Sequence, residues 1–315
     1  MPKRRLWTRG PDVGPLIFGG NVFGWTVDEA RSFALLDAFA GAGFNVIDTA
    51  DVYSGWVPGN RGGESETIIG KWLQHHGHRD RMVVITKVGM ETKSGEKGLS
   101  RAHILRSIDA SLQRLQTEYI DLYLSHMDDP ETPLEETLEA YSTLIDDGKI
   151  RAIGASNYTA ERLAEALEVS ERRDLPRYQV LESRYNLYFR SDYESALEPL
   201  CAEHGLGVIP YTALGRGFLT GKYRSEADFS KSPRGSGIKP YLNERGLRIL
   251  DAIDEVARNH AVTPASVAIA WLIARPSVTA PIASATSPDQ LRELVAGTKL
   301  NLEPSEVELL NRASA

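Results

Sequence analysis

Eight short apolar runs, a stretch of helical periodicity after each, and a spacing of roughly 30 residues between successive runs together predict an α/β chain closed into a (β/α)8 barrel. Strand alternating with helix demands a parallel sheet, because parallel neighbours need a crossover connection. Eight units fit closure better than an open doubly wound sheet. The whole chain, 1–315, reads as a single barrel domain, with 42% hydrophobic and 25% charged residues as in an ordinary globular protein.

Taken in order, Arg4 to Trp7 and Val13 to Pro15 flank the turn Thr8-Arg9-Gly10-Pro11 and predict an amino-terminal β-hairpin, placed to close the amino-terminal mouth. Hairpin and first strand occupy residues 1–18. The strand candidates are Leu16 to Phe18, Asn45 to Ile47, Val83 to Thr86, Ile120 to Leu124, Ala152 to Gly154, Gln179 to Leu181, Gly207 to Pro210 and Val278 to Ile282. Ser100 precedes a helix with Ile104, Ile108, Leu112 and Leu115 on one stripe. Thr132-Pro133-Leu134-Glu135 reads as a capping box with proline at the first helical position, and Ser287-Pro288-Asp289-Gln290 repeats that grammar for the last barrel helix. Thr263-Pro264 opens a helix whose VAIAWLIA run is apolar enough to be buried. Roughly 70 residues separate the seventh and eighth strand starts, and within them 215–243 shows glycine, serine and basic residues with no apolar period. It predicts a long functional loop after strand seven, where barrels often bind phosphate.

Composition excludes several classes. One cysteine, Cys201, forbids an internal disulfide and any cysteine-based zinc site, and points to a reducing cytoplasm. It sits on a helix and is expected to be buried and inert. No apolar stretch reaches the roughly 20 residues that span a bilayer, and MPKRRLWTRG lacks the apolar centre of a secretory signal. A net charge of -7 argues against nucleic acid as a partner. His75, His76 and His78 lie at a helix end stopped by Gly77, where cations favour the dipole, so no metal is expected. The acidic run from Glu131 to Glu139 reads as a solvated helix face.

The chemistry gathers at strand ends. In Gly43 to Tyr53, GFNVIDTADVY, the second strand ends at Asp48 and a flexible loop brings Tyr53 back toward it. Lys87 ends the third strand and His126 follows the fourth, so consecutive strands deliver Asp, Tyr, Lys and His to one rim. Their coherent task is proton donation to a carbonyl: a free phenol has a pKa of about 10, and an adjacent ammonium lowers it. Asp48 would hold Lys87 charged, and a neutral His126 would orient the carbonyl oxygen as it becomes anionic. No side chain supplies hydride, so a nicotinamide or flavin is implied. The G-x-G-x-x-G fingerprint and the P-loop are absent. Gly217 to Tyr223, GFLTGKY, can still cradle a pyrophosphate through backbone N–H groups, with Lys222 adding charge. Ser156, Asn157 and Gln179 offer polar partners for a carboxamide, and Tyr211 an aromatic face for the nicotinamide ring.

GFNVIDTADVYS, ITKVG, SLQRLQTEYIDLYLSH, GKIRAIGASN and IPYTALGRGFLTGKY together resemble the aldo-keto reductase superfamily, from the first strand to the last helix. The resemblance implies a (β/α)8 barrel and metal-free, reversible, NAD(P)H-dependent reduction of aldehydes and ketones. It implies Asp48, Tyr53, Lys87 and His126 as the catalytic tetrad, with Tyr53 the acid. Ser156, Asn157 and Gln179 would hold the carboxamide, and Tyr211 would stack on the nicotinamide. The loop from Thr212 through Leu214, Gly217, Leu219 and Gly221 to Lys222 would cover the pyrophosphate, within a cofactor-covering region that runs on through 215–243. Gly20, Asn21 and Asp48 complete the cofactor set. Near the adenosine 2′-phosphate, where many members carry lysine or arginine, this chain has Ser284, Thr286 and Gln290. NADP(H) is the expected cofactor, with NAD(H) or dual use left open.

A small-molecule carbonyl substrate would meet Trp25, Tyr53, Trp56 and His126, with Met127 and the segment after Phe229 nearby. The hairpin and that same segment are available for contacts between copies of the chain, so a homo-oligomer stays open. Two rival functions stay open as well. One is a cofactor-sensing regulatory subunit resembling potassium-channel β-subunits, disfavoured because the chain begins almost at the barrel and carries no extra domain. The other is a Schiff-base aldolase using Lys87, which needs a depressed lysine pKa.

Overall fold

The computed structural model describes residues 3–315, apart from the side chain of His76. Ten strands are present among them: β1 Arg4–Arg5, β2 Asp12–Val13, β3 Ile17–Gly19, β4 Val46–Asp48, β5 Val83–Val88, β6 Ile120–Ser125, β7 Ile150–Ser156, β8 Val180–Glu182, β9 Gly207–Val208 and β10 Ile282–Ala283. All eight barrel candidates become strands, shifted by a residue or a few at their ends. They pair in parallel in the order β10-β3-β4-β5-β6-β7-β8-β9. The two outer members are joined by the backbone bonds Thr279 N–H to Val208 O (2.8 Å) and Ile282 N–H to Pro210 O (2.8 Å), so the sheet curls round on itself as a (β/α)8 barrel.

β1 and β2 form the expected antiparallel hairpin. Its Leu6 is fully buried with Val13, Ile17, Val46, Val83, Ile85 and Leu122 in a cluster inside the barrel, so the hairpin plugs the amino-terminal mouth. Gly207 shows how close the plug lies, because a Cβ there would collide with the Leu6 carbonyl. A larger apolar cluster lies outside, between strands and helices, with Val84, Val88, Tyr123 and Leu181 among its strand members. The two clusters follow the period of two along each strand.

The helices bear out most of the predicted caps. Ser100 caps Arg101–Leu115, Thr263 caps Pro264–Ala274 and Ser287 caps Pro288–Gly297, each accepting the N–H three residues on. Thr132 departs from expectation. Its hydroxyl bonds to Asp129 Oδ2 (2.7 Å) instead, and Leu134–Asp146 begins from Pro133 with no side-chain cap. The segment 215–243 also differs from the irregular loop expected. It holds three 3₁₀ stretches, Gly215–Thr220, Glu226–Lys231 and Gly235–Tyr241, anchored by fully buried Phe218, Leu219, Tyr223 and Ile238. A 17-residue helix, Glu244–His260, follows it. Four aromatic or aliphatic anchors spaced irregularly pin a segment without leaving a period to read.

No helix among the described residues is long and apolar enough to cross a membrane. No group of three or more His, Cys, Asp or Glu gathers as a metal would need among them; the His76 side chain lies outside the described residues. Gly77 ends its helix in the left-handed region, at φ 59°. Cys201 is buried, and burial pushes its thiol up to about 12.

Candidate active site

The period of two that fills the barrel also builds the site at its carboxyl end. Inward Val46 leads two residues on to Asp48, Ile85 to Lys87, Leu124 to His126, and Val180 to Glu182. Tyr53 comes from the turns after β4. That loop is held because Ser54, at φ 70°, turns the chain and gives its hydroxyl to the Phe23 carbonyl (2.5 Å), while Asn60 bonds to Gly24 O and Ser54 O.

Lys87 is the hub. Its side chain is fully buried, and Nζ donates to Asp48 Oδ1 (2.5 Å), Thr49 O (2.8 Å) and Tyr53 OH (3.1 Å). Glu182 Oε2 lies a further 3.4 Å from the same nitrogen. Burial alone would discharge the lysine; the charge of Asp48, the largest of the opposing effects, holds Lys87 above its ordinary value. Burial raises the Tyr53 phenol, an effect that Lys87 opposes without overcoming. His126 is driven well below its usual range by burial and by Lys87, so its imidazole is neutral near pH 7. Its ring stands 6.0 Å from that of Tyr53, which itself stands 6.1 Å from Trp56, and Trp25 packs against Trp56 at 5.7 Å.

A cavity of about 1180 Å³ opens over this cluster. Asn21, Trp25, Asp48, Tyr53, Trp56, Tyr211, Thr212, Leu214, Gly217, Lys222, Ser284, Thr286 and Gln290 all line it. Ser156 and Asn157 sit beside it: Asn157 accepts from Tyr211 OH (2.6 Å) and donates to His126 O (2.8 Å) and to Ser156 Oγ (3.1 Å). Gly20 is buried at the end of β3, Leu219 is packed into the core beneath the loop, and Gly221 turns the chain at φ 75°. Ser284 donates to Gly19 O and Asn21, while Gln290 accepts from Thr286.

Gln179 must be corrected. It precedes β8 at the opposite, amino-terminal mouth and lines a separate cavity with Trp7, Thr8 and Arg9, so it cannot meet a ligand held near Tyr53. The residue that β8 presents at the carboxyl end is Glu182. Two arginines were also missed. Arg216 and Arg234 line the cavity with Lys222 and Lys231, and Arg234 lies 5.0 Å over the Trp25 ring. Arg234 Nη2 is buried with no hydrogen-bond partner among the described residues, and burial and Arg216 together lower the pKa of Arg234. Lys231 is paired with Asp228, but Arg234 brings to the cavity a cation whose Nη2 has no partner among the described residues, and charge so placed in a chain of net charge -7 fits a polyanionic ligand. A cavity larger than a small substrate needs, with an aromatic face at Tyr211, fits a dinucleotide.

Fold and site therefore define a barrel with a buried acid–base cluster at its carboxyl mouth and a cationic annexe. The aldo/keto reductase family model matches residues 15–315. The chain is 32% identical to Protein tas of Escherichia coli (strain K12) over 97% of this chain and 95% of that one. It is 33% identical to aldo-keto reductase YhdN of Bacillus subtilis (strain 168), over 92% and 86% respectively. A probable voltage-gated potassium channel subunit beta of Oryza sativa subsp. japonica is 34% identical over 93% and 90%. The chain belongs to the aldo/keto reductase family, and is an NAD(P)H-dependent oxidoreductase.

Proposed function

We propose that this enzyme reversibly reduces an aldehyde or ketone to the alcohol with NADPH, with Tyr53 as general acid. The observation that carries the reading is the saturated Lys87, whose third hydrogen bond goes to the Tyr53 oxygen. With its pKa raised by burial, Tyr53 rests fully protonated and loaded as a donor. As it gives its proton to the carbonyl oxygen, the phenolate forms 3.1 Å from a fully buried ammonium, whose charge counts for more than it would in water. Asp48 keeps Lys87 charged and fixed. Neutral His126 donates to the same carbonyl oxygen, and Trp25 and Trp56 wall off an apolar substrate from water.

Bound NADPH supplies the hydride. Tyr211, Ser156 and Asn157 would hold its nicotinamide end, and Gly217 and Lys222 its pyrophosphate. Arg216 and Arg234 supply the positive charge that Ser284, Thr286 and Gln290 lack, which favours NADPH over NADH. Titrating tryptophan fluorescence with each nucleotide tests this: NADPH should bind at least tenfold tighter than NADH, and equal affinity would refute the preference.

The rice relative's printed name, a probable voltage-gated potassium channel subunit beta, supports a second reading, a regulatory subunit; on that reading this chain would sense its cofactor and turn over slowly or not at all. Oxidation of one equivalent of bound NADPH with no steady-state rate on any carbonyl would favour it. The Schiff-base aldolase finds no support, since a nucleophilic amine must be neutral and Lys87 is held charged with all three hydrogens donated.

A further inference from the structure

Glu182 ends β8 with its side chain 4% exposed. Its Oε2 faces Lys87 at 3.4 Å, yet the ammonium has three hydrogens and all are donated elsewhere, so no donor among the described residues satisfies Oε2. The one ammonium thus gathers two buried carboxyls, Asp48 Oδ1 at 2.5 Å and Glu182 Oε2 at 3.4 Å. Two carboxylates gathered on one ammonium, away from water, repel; one proton between them turns the repulsion into a hydrogen bond. Lys87 decides where that proton sits. At 2.5 Å from Asp48 it stabilises the ionised form there, and the proton falls to Glu182.

The groups facing Glu182 are Asp48 from β4, Tyr53 from the turns after it, Lys87 from β5 and Tyr211 after β9, with Arg184 acting on Tyr211 from beyond. Lys87 is the one cation among those that touch it, and Asp48 already neutralises that charge.

We propose that Glu182 is a charge-setting positioning residue of the reduction, a carboxylic acid that donates its proton to Asp48 and keeps the Asp48–Lys87–Glu182 cluster neutral, and whose ionisation at alkaline pH slows proton transfer from Tyr53. Burial first, and then the charge of Asp48, hold Glu182 well above the carboxylate range, so the acid form persists through neutral pH. Once ionised, it places a second negative charge beside a phenol that must itself become anionic in the transition state. The kinetic half of the proposal rests on the reductase reading; the protonation half does not.

Glu182→Gln tests both, because an amide is isosteric, donates to Asp48 and never ionises. Infrared spectra of the nucleotide-free protein, taken in an Asp51→Asn background because Asp51 is itself protonated at pH 7, should show a protonated-carboxyl C=O band that Glu182→Gln removes. In NADPH-dependent reduction of an aromatic aldehyde, the alkaline limb of kcat should move up by at least one pH unit in the variant, whatever the absolute rate. Absence of the band from the Asp51→Asn protein, its persistence when Glu182→Gln is added, or superimposable alkaline limbs would overturn the proposal. A band that Glu182→Gln abolishes in a protein with no turnover would support the protonated carboxyl and strike the reductase reading instead.

Discussion

Replacing Lys87 with methionine removes the cation from two buried carboxyls and a half-buried phenol while leaving a side chain of similar length. Asp48 is 2% exposed and Glu182 4%, so neither can recruit water in its place. Breaking a buried ion pair by deleting one partner costs about 3–5 kcal/mol. The pH dependence follows from linkage. Without Lys87 both carboxyls bind protons more tightly folded than unfolded, where their pKa is about 4. The variant's stability is then greatest below that pH and falls as pH rises, by up to about 1.4 kcal/mol per unit for each group. Lys87 itself has a folded pKa raised above its ordinary value, so its contribution in the unsubstituted protein persists at every pH below about 10.4. Urea denaturation followed by tryptophan fluorescence should therefore show a small deficit for Lys87→Met at pH 4.5 and about 3–5 kcal/mol at pH 8. Adding Asp48→Asn should recover part of the loss. A deficit under about 1 kcal/mol at pH 8, or one equal at both pH values, would refute the charge argument.

Arg234→Gln removes an unpaired buried cation and should weaken NADPH binding by about 10- to 100-fold and NADH binding by less, read by fluorescence titration; equal losses would mean that Arg234 does not contact the 2′-phosphate. Asp51 is buried beside Glu66 with Oδ1 unpartnered, and burial and Glu66 push it up to about 8. Its folded pKa lies above the unfolded one, so the protein loses stability as pH rises from about 4 to 8, and Asp51→Asn should remove that loss. Thermal melts at pH 5 and pH 8 should show the variant gaining on the parent by about 1 kcal/mol or more; a gain that does not change with pH would contradict the assignment.

What was legible in the sequence was local. The strand runs, the hairpin turn and the Ser and Thr caps each depend on neighbours a few residues apart. Lys87 could be placed because VVITK carries the period of two to a charged end, and Asp48 because NVID does the same. The error at Gln179 was one of register. An apolar run from Gln179 to Leu181 looks like a strand beginning at a polar residue, but inward Val180 makes Glu182 the residue at the chemical end. Parity counted from Val180 would have found it. Arg234 had no such signal. Its segment has no period, and its position over Trp25 is a meeting of segments from the first and last thirds of the chain, fixed by Phe218, Tyr223 and Ile238 reaching the core. Thr132 was misread because Asp129, three residues upstream, competes for its hydroxyl.

The account stands or falls on Tyr53. Steady-state loss of NADPH absorbance with a panel of aromatic and aliphatic aldehydes should show multiple turnovers for the unsubstituted enzyme. Tyr53→Phe, which keeps the ring and removes the proton, should lose at least about 100-fold in kcat while binding NADPH within about threefold as tightly. A Tyr53→Phe enzyme that turns over as fast as the parent would contradict the assignment of the acid. Tight NADPH binding with no turnover on any carbonyl would contradict the reductase itself.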